Sequence, residues 1–153
     1  MFKLSEQAKK FLKENNNKNV VFTNGCFDIL HSGHVAYLNE AKKQGDLLFL
    51  GLNSDQSIKR LKGENRPINS EKDRKFVLEN LRSVDFVEVF EEDTPYELID
   101  AVKPNLLVKG GDWAVDQIVG HDIVLAAGGE VRSLIFIDGY STTGLISAVQ
   151  GKK

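Results

Sequence analysis

Cysteine, methionine and tryptophan each occur once, proline and histidine three times each, in 153 residues. Each scarcity excludes something. A lone cysteine, Cys26, cannot form an intramolecular disulfide, so a disulfide scaffold is ruled out. Three prolines and 13 unpatterned glycines exclude a collagen-like repeat or a Pro-rich linker. No apolar run approaches the roughly 20 residues of a bilayer-spanning helix. The longest, 47–52, contains Gly51. The opening MFKLSEQAKK lacks the apolar stretch of a secretory signal, and the expected address is the cytoplasm. A positive excess is missing as well: 20 Lys and Arg face 22 Asp and Glu, a formal net charge of −2. That balance argues against nucleic acid or a membrane surface as a partner held by bulk electrostatics.

With 41% hydrophobic and 27% charged residues, what remains suits one domain with an ordinary core. Residues 1–17 read as an N-terminal amphipathic helix belonging to the same domain as residues 18–153. Leu4, Ala8, Phe11 and Leu12 give it helical spacing over 4–14. Strands are expected at 20–23, 47–52, 86–90, 106–108 and 131–137. Helices are expected at 33–43, 54–61, 70–81, 94–102 and 118–127, with a last one opening at Ser141. Alternating strands and helices imply a Rossmann-like α/β domain, a five-stranded, mainly parallel sheet with helices on both faces. Ligands of such sheets bind beyond the carboxyl ends of the strands. The loops 24–34, 53–54, 109–113 and 138–143 should therefore carry the chemistry.

The first of these reads TNGCFDILHSGH and joins a strand end, a turn and a helix start. His31 and His34, at i and i+3 around that start, can face one way, and Gly33 allows close backbone approach. Two imidazole donors beside free helix N-terminal amides suit a phosphate. A zinc site of Cys26, His31 and His34 is the rival reading, but no second cysteine or paired ligand spacing supports it, so no dedicated protein metal site is expected. His121, without partners in sequence, reads as a surface or satisfied core group. A basic stretch between Lys59 and Lys75 precedes an acidic one from Glu79 to Asp100. Half of such a pattern is a solvated helix face; the rest suggests that Lys62, Arg66 and Arg74 edge a phosphate site. Lys109, at a buried strand end, needs a counter-charge and is a candidate for the acceptor phosphate or the nucleotide, with Asp112 beside it. Trp113 is either packing or a pocket wall.

The stretch NGCFDILHSGH resembles the GxFDxxHxGH signature of the nucleotidyltransferase superfamily. The resemblance extends through Leu52-Asn53-Ser54-Asp55, Arg60-Leu61-Lys62-Gly63, Arg66-Pro67, Val108-Lys109-Gly110-Gly111-Asp112 and Tyr140-Ser141-Thr142-Thr143 to its heptose-phosphate adenylyltransferases, over about 19–150. It implies transfer of AMP from ATP to D-glycero-β-D-manno-heptose 1-phosphate, with release of pyrophosphate, for lipopolysaccharide core or a related surface glycan. By the same resemblance His34 and His31 are catalytic donors to the triphosphate. Cys26, Phe27, Gly33 and Lys62 border the nucleotide, while Ser141, Thr142 and Thr143 hold the β and γ phosphates, although a plain helix cap also explains those hydroxyls. Asp28 is expected to organise the triphosphate and its metal, and Asp55 to meet ribose or acceptor hydroxyls. Mg²⁺ is expected to travel with the nucleotide. The family implies a homo-oligomer and commonly carries this domain fused to a sugar kinase; for this chain a separate sugar kinase and phosphatase are expected to make the acceptor. Glycerol-3-phosphate cytidylyltransferases are the nearest alternative. Their arginine five residues before the serine is replaced here by Phe136, and Asp116 stands near the place of their lysine after Gly-Asp-Trp. A nucleotide-binding regulatory module without turnover is the non-enzyme alternative.

Overall fold

The computed structural model describes residues 1–135 and 142–151. Five parallel strands, β1 (Val20–Gly25), β2 (Leu47–Asn53), β3 (Phe86–Phe90), β4 (Leu106–Gly110) and β5 (Glu130–Leu134), lie in the order β3-β2-β1-β4-β5. The chain winds outward from β1 to β3, then crosses to the other side of β1 for β4 and β5. That reversal puts the topological switch point between the carboxyl ends of β1 and β4. The helices are α1 (Glu6–Glu14), α2 (Ser32–Lys43), α3 (Asp55–Lys62), α4 (Glu71–Glu79), α5 (Tyr96–Val102), α6 (His121–Ala126) and α7 (Thr142–Val149). Among the described residues none is long and apolar enough to cross a membrane.

The continuous apolar stretch of β2 separates by pleat into two cores, as a strand covered on both faces requires. Leu48, Leu50 and Leu52 join Val21, Leu38, Ala41, Leu78 and Val108 on one face. Phe49 joins Ala8, Phe22, Phe90, Leu98, Ile99 and Leu107 on the other. Gly51 is required there, since a Cβ would lie 2.9 Å from the Phe22 ring and 3.0 Å from Leu98. α1 covers the outer part of that second face. Phe11 sits 5.0 Å from Phe86, which sits 5.1 Å from Phe49, which stacks 6.0 Å from Phe22. The helix begins at Glu6 rather than Leu4 because Ser5 is its cap: Ser5 Oγ accepts from the Ala8 amide, and its own amide and hydroxyl both donate to the Glu88 carboxylate at 2.8 Å.

Two segments differ from expectation. The helix predicted at 118–127 is shortened to α6, and a 3₁₀ turn at Val115–Gln117 precedes it. Gly120 breaks it, with φ 89 and a Cβ position only 2.6 Å from Ile99 Cδ1, so the chain must turn there to pass the core. β5 stops at Leu134, Ile135 is exposed, and the rest of the predicted strand 131–137 falls on residues outside those described.

The stacked rings make one substitution diagnostic. Phe49 is fully buried between two other phenylalanines, and Phe49→Ala should lower unfolding free energy by about 3–5 kcal/mol in urea titrations, the range for large-to-small changes in a core.

Candidate active site

A cavity of about 220 Å³ opens at the switch point, between the ends of β1 and β4. The β1 exit shapes one wall. Phe27 stands in the left-handed region at φ 47, which folds its ring back over the strand end. A Cβ on Gly25 would sit 2.7 Å from that ring, so the glycine of the Gly-x-Phe-Asp sequence is there to admit the phenylalanine. The ring then meets His34 edge-on at 5.5 Å. Phe27 thus acts through its side chain, as the packing surface for the histidine.

The histidine pair forms a reciprocal cap on α2. His31 Nδ1 accepts from the amides of Gly33 (3.1 Å) and His34 (3.4 Å), and His34 Nδ1 accepts from the His31 amide (3.3 Å). The imidazoles stack 3.8 Å apart. Two imidazoles here serve as the paired acceptors of a capping box. Because His34 Nδ1 is an acceptor, the proton of its neutral ring is on Nε2. Burial, with His31 and Lys62 adding repulsion, pushes the His34 pKa down to about 4. At neutral pH His34 is therefore an uncharged Nε2–H donor on the cavity wall. His31 stands behind it as cap and stacking partner, and the buried Gly33 supplies an amide to that cap.

Cations line the same cavity. Lys62 enters from the end of α3, Arg66 from the following loop and Lys109 from β4. Asp28, also at the wall, is not free to serve them as a metal ligand. Its carboxylate accepts from Arg66 Nε (3.0 Å) and from the amides of Ile68 (2.9 Å) and Asn69 (2.9 Å). Burial raises its pKa, but those two amides and the guanidinium outweigh burial and hold it below the usual carboxylate value. Asp28 thereby fixes Arg66, whose Nη2 is buried without a hydrogen-bond partner among the described residues. Cys26, Asp28, His31 and His34 do not gather into a metal cage, nor does any other group of three or more His, Cys, Asp or Glu among the described residues.

Several sequence-predicted residues lie elsewhere. Arg74 is beneath the site rather than at its edge, 2% exposed, donating to the carbonyls of Cys26 (2.8 Å), Asn53 (2.8 Å) and Asn69 (3.0 Å). Asp55 pairs with Arg74 Nη2 at 2.8 Å and caps the Glu71 amide, so it faces the strut and not the cavity. Both are corrections with one cause: a guanidinium that deep needs its donors satisfied, and the nearest acceptors are loop carbonyls. Asp112 is exposed in its turn and lies off the cavity wall. His121 heads α6, its Nδ1 2.8 Å from the Ile118 carbonyl. Burial pushes the Cys26 thiol up, against the opposing charges of Lys62, Arg74 and Arg66, which suits packing and not nucleophilic attack. Ser141 lies outside the described residues; Thr142 opens α7, and Thr143 is exposed on it.

Sequence reasoning missed Tyr37 and Asn24, which also line the cavity. Tyr37 is buried, its hydroxyl 2.7 Å from Thr23 Oγ1 and donating to the Val108 carbonyl at 3.4 Å, so it ties β1 to β4 under the site. Burial lifts its pKa to about 12. The signal was present: Tyr37 follows His34 by three residues and so shares its helix face.

The depressed His34 pKa has a sign that can be tested. An unfolded histidine titrates near 6.5, so the folded protein resists protonation that the unfolded chain accepts. The His34 contribution to stability is whole above about 6.5 and is lost as pH falls toward about 4. The His34 ring resonance should stay in its neutral position from pH 8 to 5 in NMR titrations. The stability difference between the protein and His34→Gln in urea should shrink over the same descent.

Residues 22–143 match the family model described as cytidylyltransferase-like. The chain is 56% identical over 143 residues to the bifunctional protein HldE of Marinomonas sp. strain MWYL1, and 53% identical over 150 residues to that of Aliarcobacter butzleri. Those alignments cover 94% and 97% of this chain but only 30% and 31% of the relatives, so the chain spans about a third of their length. A crystal structure of a lipopolysaccharide core biosynthesis protein from Thermoplasma volcanium superposes with TM-score 0.64 and 31% identity, over 81% of this chain and 99% of that one. A pantothenate synthetase from Thermus thermophilus, at 15% identity and TM-score 0.53 over 95% of this chain and 75% of that one, shares the fold. The matched span contains both strand ends at the switch point and both capping histidines, and the chain belongs to the cytidylyltransferase-like family.

Proposed function

We propose that this chain is a nucleotidyltransferase that moves AMP from ATP to D-glycero-β-D-manno-heptose 1-phosphate, making ADP-heptose and pyrophosphate. The observation that carries the reading is the neutral His34 Nε2–H donor on one cavity wall with Lys62, Arg66 and Lys109. In the reaction an acceptor phosphate oxygen forms a bond to the α-phosphorus as the bond from that phosphorus to the β-bridging oxygen breaks. The electron pair leaves with pyrophosphate, and no protein nucleophile is needed. Catalysis is alignment of two anions and neutralisation of charge that grows on the phosphate oxygens. His34 supplies a hydrogen bond that strengthens as that charge develops. Lys62 and the open Nη2 of Arg66 offset the charge of the bound phosphates, and Lys109 takes the acceptor phosphate from the β4 side.

Ser141, Thr142 and Thr143 are proposed to hold the β and γ phosphates. Mg²⁺ is proposed to arrive with the triphosphate, where it would draw charge off the phosphate oxygens. Asp28, already saturated by three donors, suits a metal carried by phosphate and water rather than by protein. The relatives' name, bifunctional protein HldE, and the lipopolysaccharide core biosynthesis named for the Thermoplasma protein support the heptose and lipopolysaccharide assignment. A homo-oligomer, a cytoplasmic address and an acceptor made by a sugar kinase and a phosphatase complete the proposal. Nucleic acid has no part in it: the basic segment is partly drawn off, with Arg60 paired to Asp93 at 2.9 Å and Lys75 to Glu79 at 3.4 Å.

The deciding experiment is a pyrophosphate-release assay that crosses ATP, CTP, GTP and UTP with heptose 1-phosphates, other sugar 1-phosphates and glycerol 3-phosphate. Turnover is expected with ATP and the β-heptose 1-phosphate; turnover with CTP and glycerol 3-phosphate alone would overturn the assignment. His34→Asn keeps an acceptor for the His31 amide while removing the outward donor. It should lower kcat by about a hundredfold, the usual loss for one charge-stabilising donor, with a melting temperature within a few degrees of the parent.

A further inference from the structure

Lys109 has an unusual partner. It stands at the carboxyl end of β4, on the wall of the switch-point cavity, and among the described residues no carboxylate lies within ion-pair distance of it. Its ammonium lies instead 4.9 Å from the centre of the Trp113 ring. That ring is fixed by the turn that follows the strand. Trp113 Nε1 donates to the Gly110 carbonyl at 3.0 Å, and its amide donates to Ser133 Oγ at 3.2 Å. Ser133 Oγ donates in turn to the Gly111 carbonyl, and the Gly111 amide donates to the Leu134 carbonyl at 2.7 Å. Gly111, at φ 112, is the residue that lets the turn double back. Trp113 is therefore tied to β4 through its indole and to β5 through its backbone amide.

We propose that Trp113 is a positioning residue that holds Lys109 toward the cavity for a substrate phosphate without neutralising it. A carboxylate in the same place would fix the lysine equally well and cancel its charge. An aromatic face attracts the ammonium through its quadrupole and leaves the full charge available to an anion. This rests on the proposed phosphoryl chemistry of the cavity, but not on the identity of nucleotide or sugar.

The test uses the fact that Trp113 is the sole tryptophan, so selectively excited tryptophan emission reports this ring alone. ATP, CTP and D-glycero-β-D-manno-heptose 1-phosphate are added singly and in pairs to the intact chain, with Mg²⁺ present. Emission should shift with at least one of them as a phosphate pairs with the ammonium held over the indole, and Lys109→Met should abolish the shift at saturating ligand. No shift with any addition, or the same shift in Lys109→Met, would overturn the proposal. Kinetics on whichever substrate pair turns over supply the second arm. Trp113→Ala should raise KM about two- to fivefold, the range for an aromatic holding a cation at a partly exposed site, with kcat within twofold. Trp113→Phe, which keeps a ring and loses the indole hydrogen bond, should restore it. In a Lys109→Met background Trp113→Ala should have no further effect; additive losses would show that Trp113 acts independently of Lys109. Turnover restricted to another substrate pair would sink the heptose assignment while leaving both arms readable.

Discussion

Parallel strands end in carbonyls and loops that have lost their ladder partners, and at the carboxyl edge of this sheet one guanidinium collects them. Arg74 reaches up from α4 to the carbonyls of Cys26 after β1, Asn53 at the end of β2 and Asn69 in the loop before its own helix, and it pairs with Asp55 at the start of α3. Three segments far apart in sequence, around residues 26, 53–55 and 69–74, are thereby set at fixed distances from one another. Asp28 adds the second tie, drawing Arg66, Ile68 and Asn69 onto the β1 loop. Removing one partner from a buried charged cluster of this kind costs several kcal/mol, because the remaining charges stay desolvated. The position of Arg66 at the cavity depends on this framework.

Within that frame the acids are occupied and several cations keep charge to give. Asp28 is saturated, and Asp55 faces the strut. Arg66 retains an unpartnered Nη2, and Lys109 is held by an indole face. His34 contributes a donor without charge, since the ring beside it, Lys62 and burial all oppose protonation. A site built this way attracts phosphate by its lysines and arginines and orients it by a neutral imidazole. That division of labour suits a reaction whose charge lies on the substrates throughout.

The fold was largely legible because its signals are local. The apolar runs 47–52 and 86–90 and the glycine-marked turns each act within a few residues, and each predicts an element that is present. The helix expected from 118 begins only at His121 because Gly120 turns against Ile99, a contact that no short window contains. In the site, the histidine pair was legible from spacing, yet its manner of acting was not. That each Nδ1 caps the other's turn, and so fixes Nε2 as the outward donor, depends on backbone angles that spacing alone leaves open. Arg74 and Asp55 were misplaced for a related reason. A charge run records which residues are charged, but whether a guanidinium points to solvent, to substrate or to buried carbonyls depends on what packs above it.

Sequence alone determined a near-neutral α/β chain with the glycine, histidine and phosphate-loop pattern of one enzyme superfamily, because turns, caps and strand periodicity are properties of neighbours. Tertiary structure decided which charges remain available. Desolvation and pairing act between residues tens of positions apart, as Asp28 with Asn69 and Tyr37 with Val108, and only the assembled switch point of β1 and β4 sets those distances.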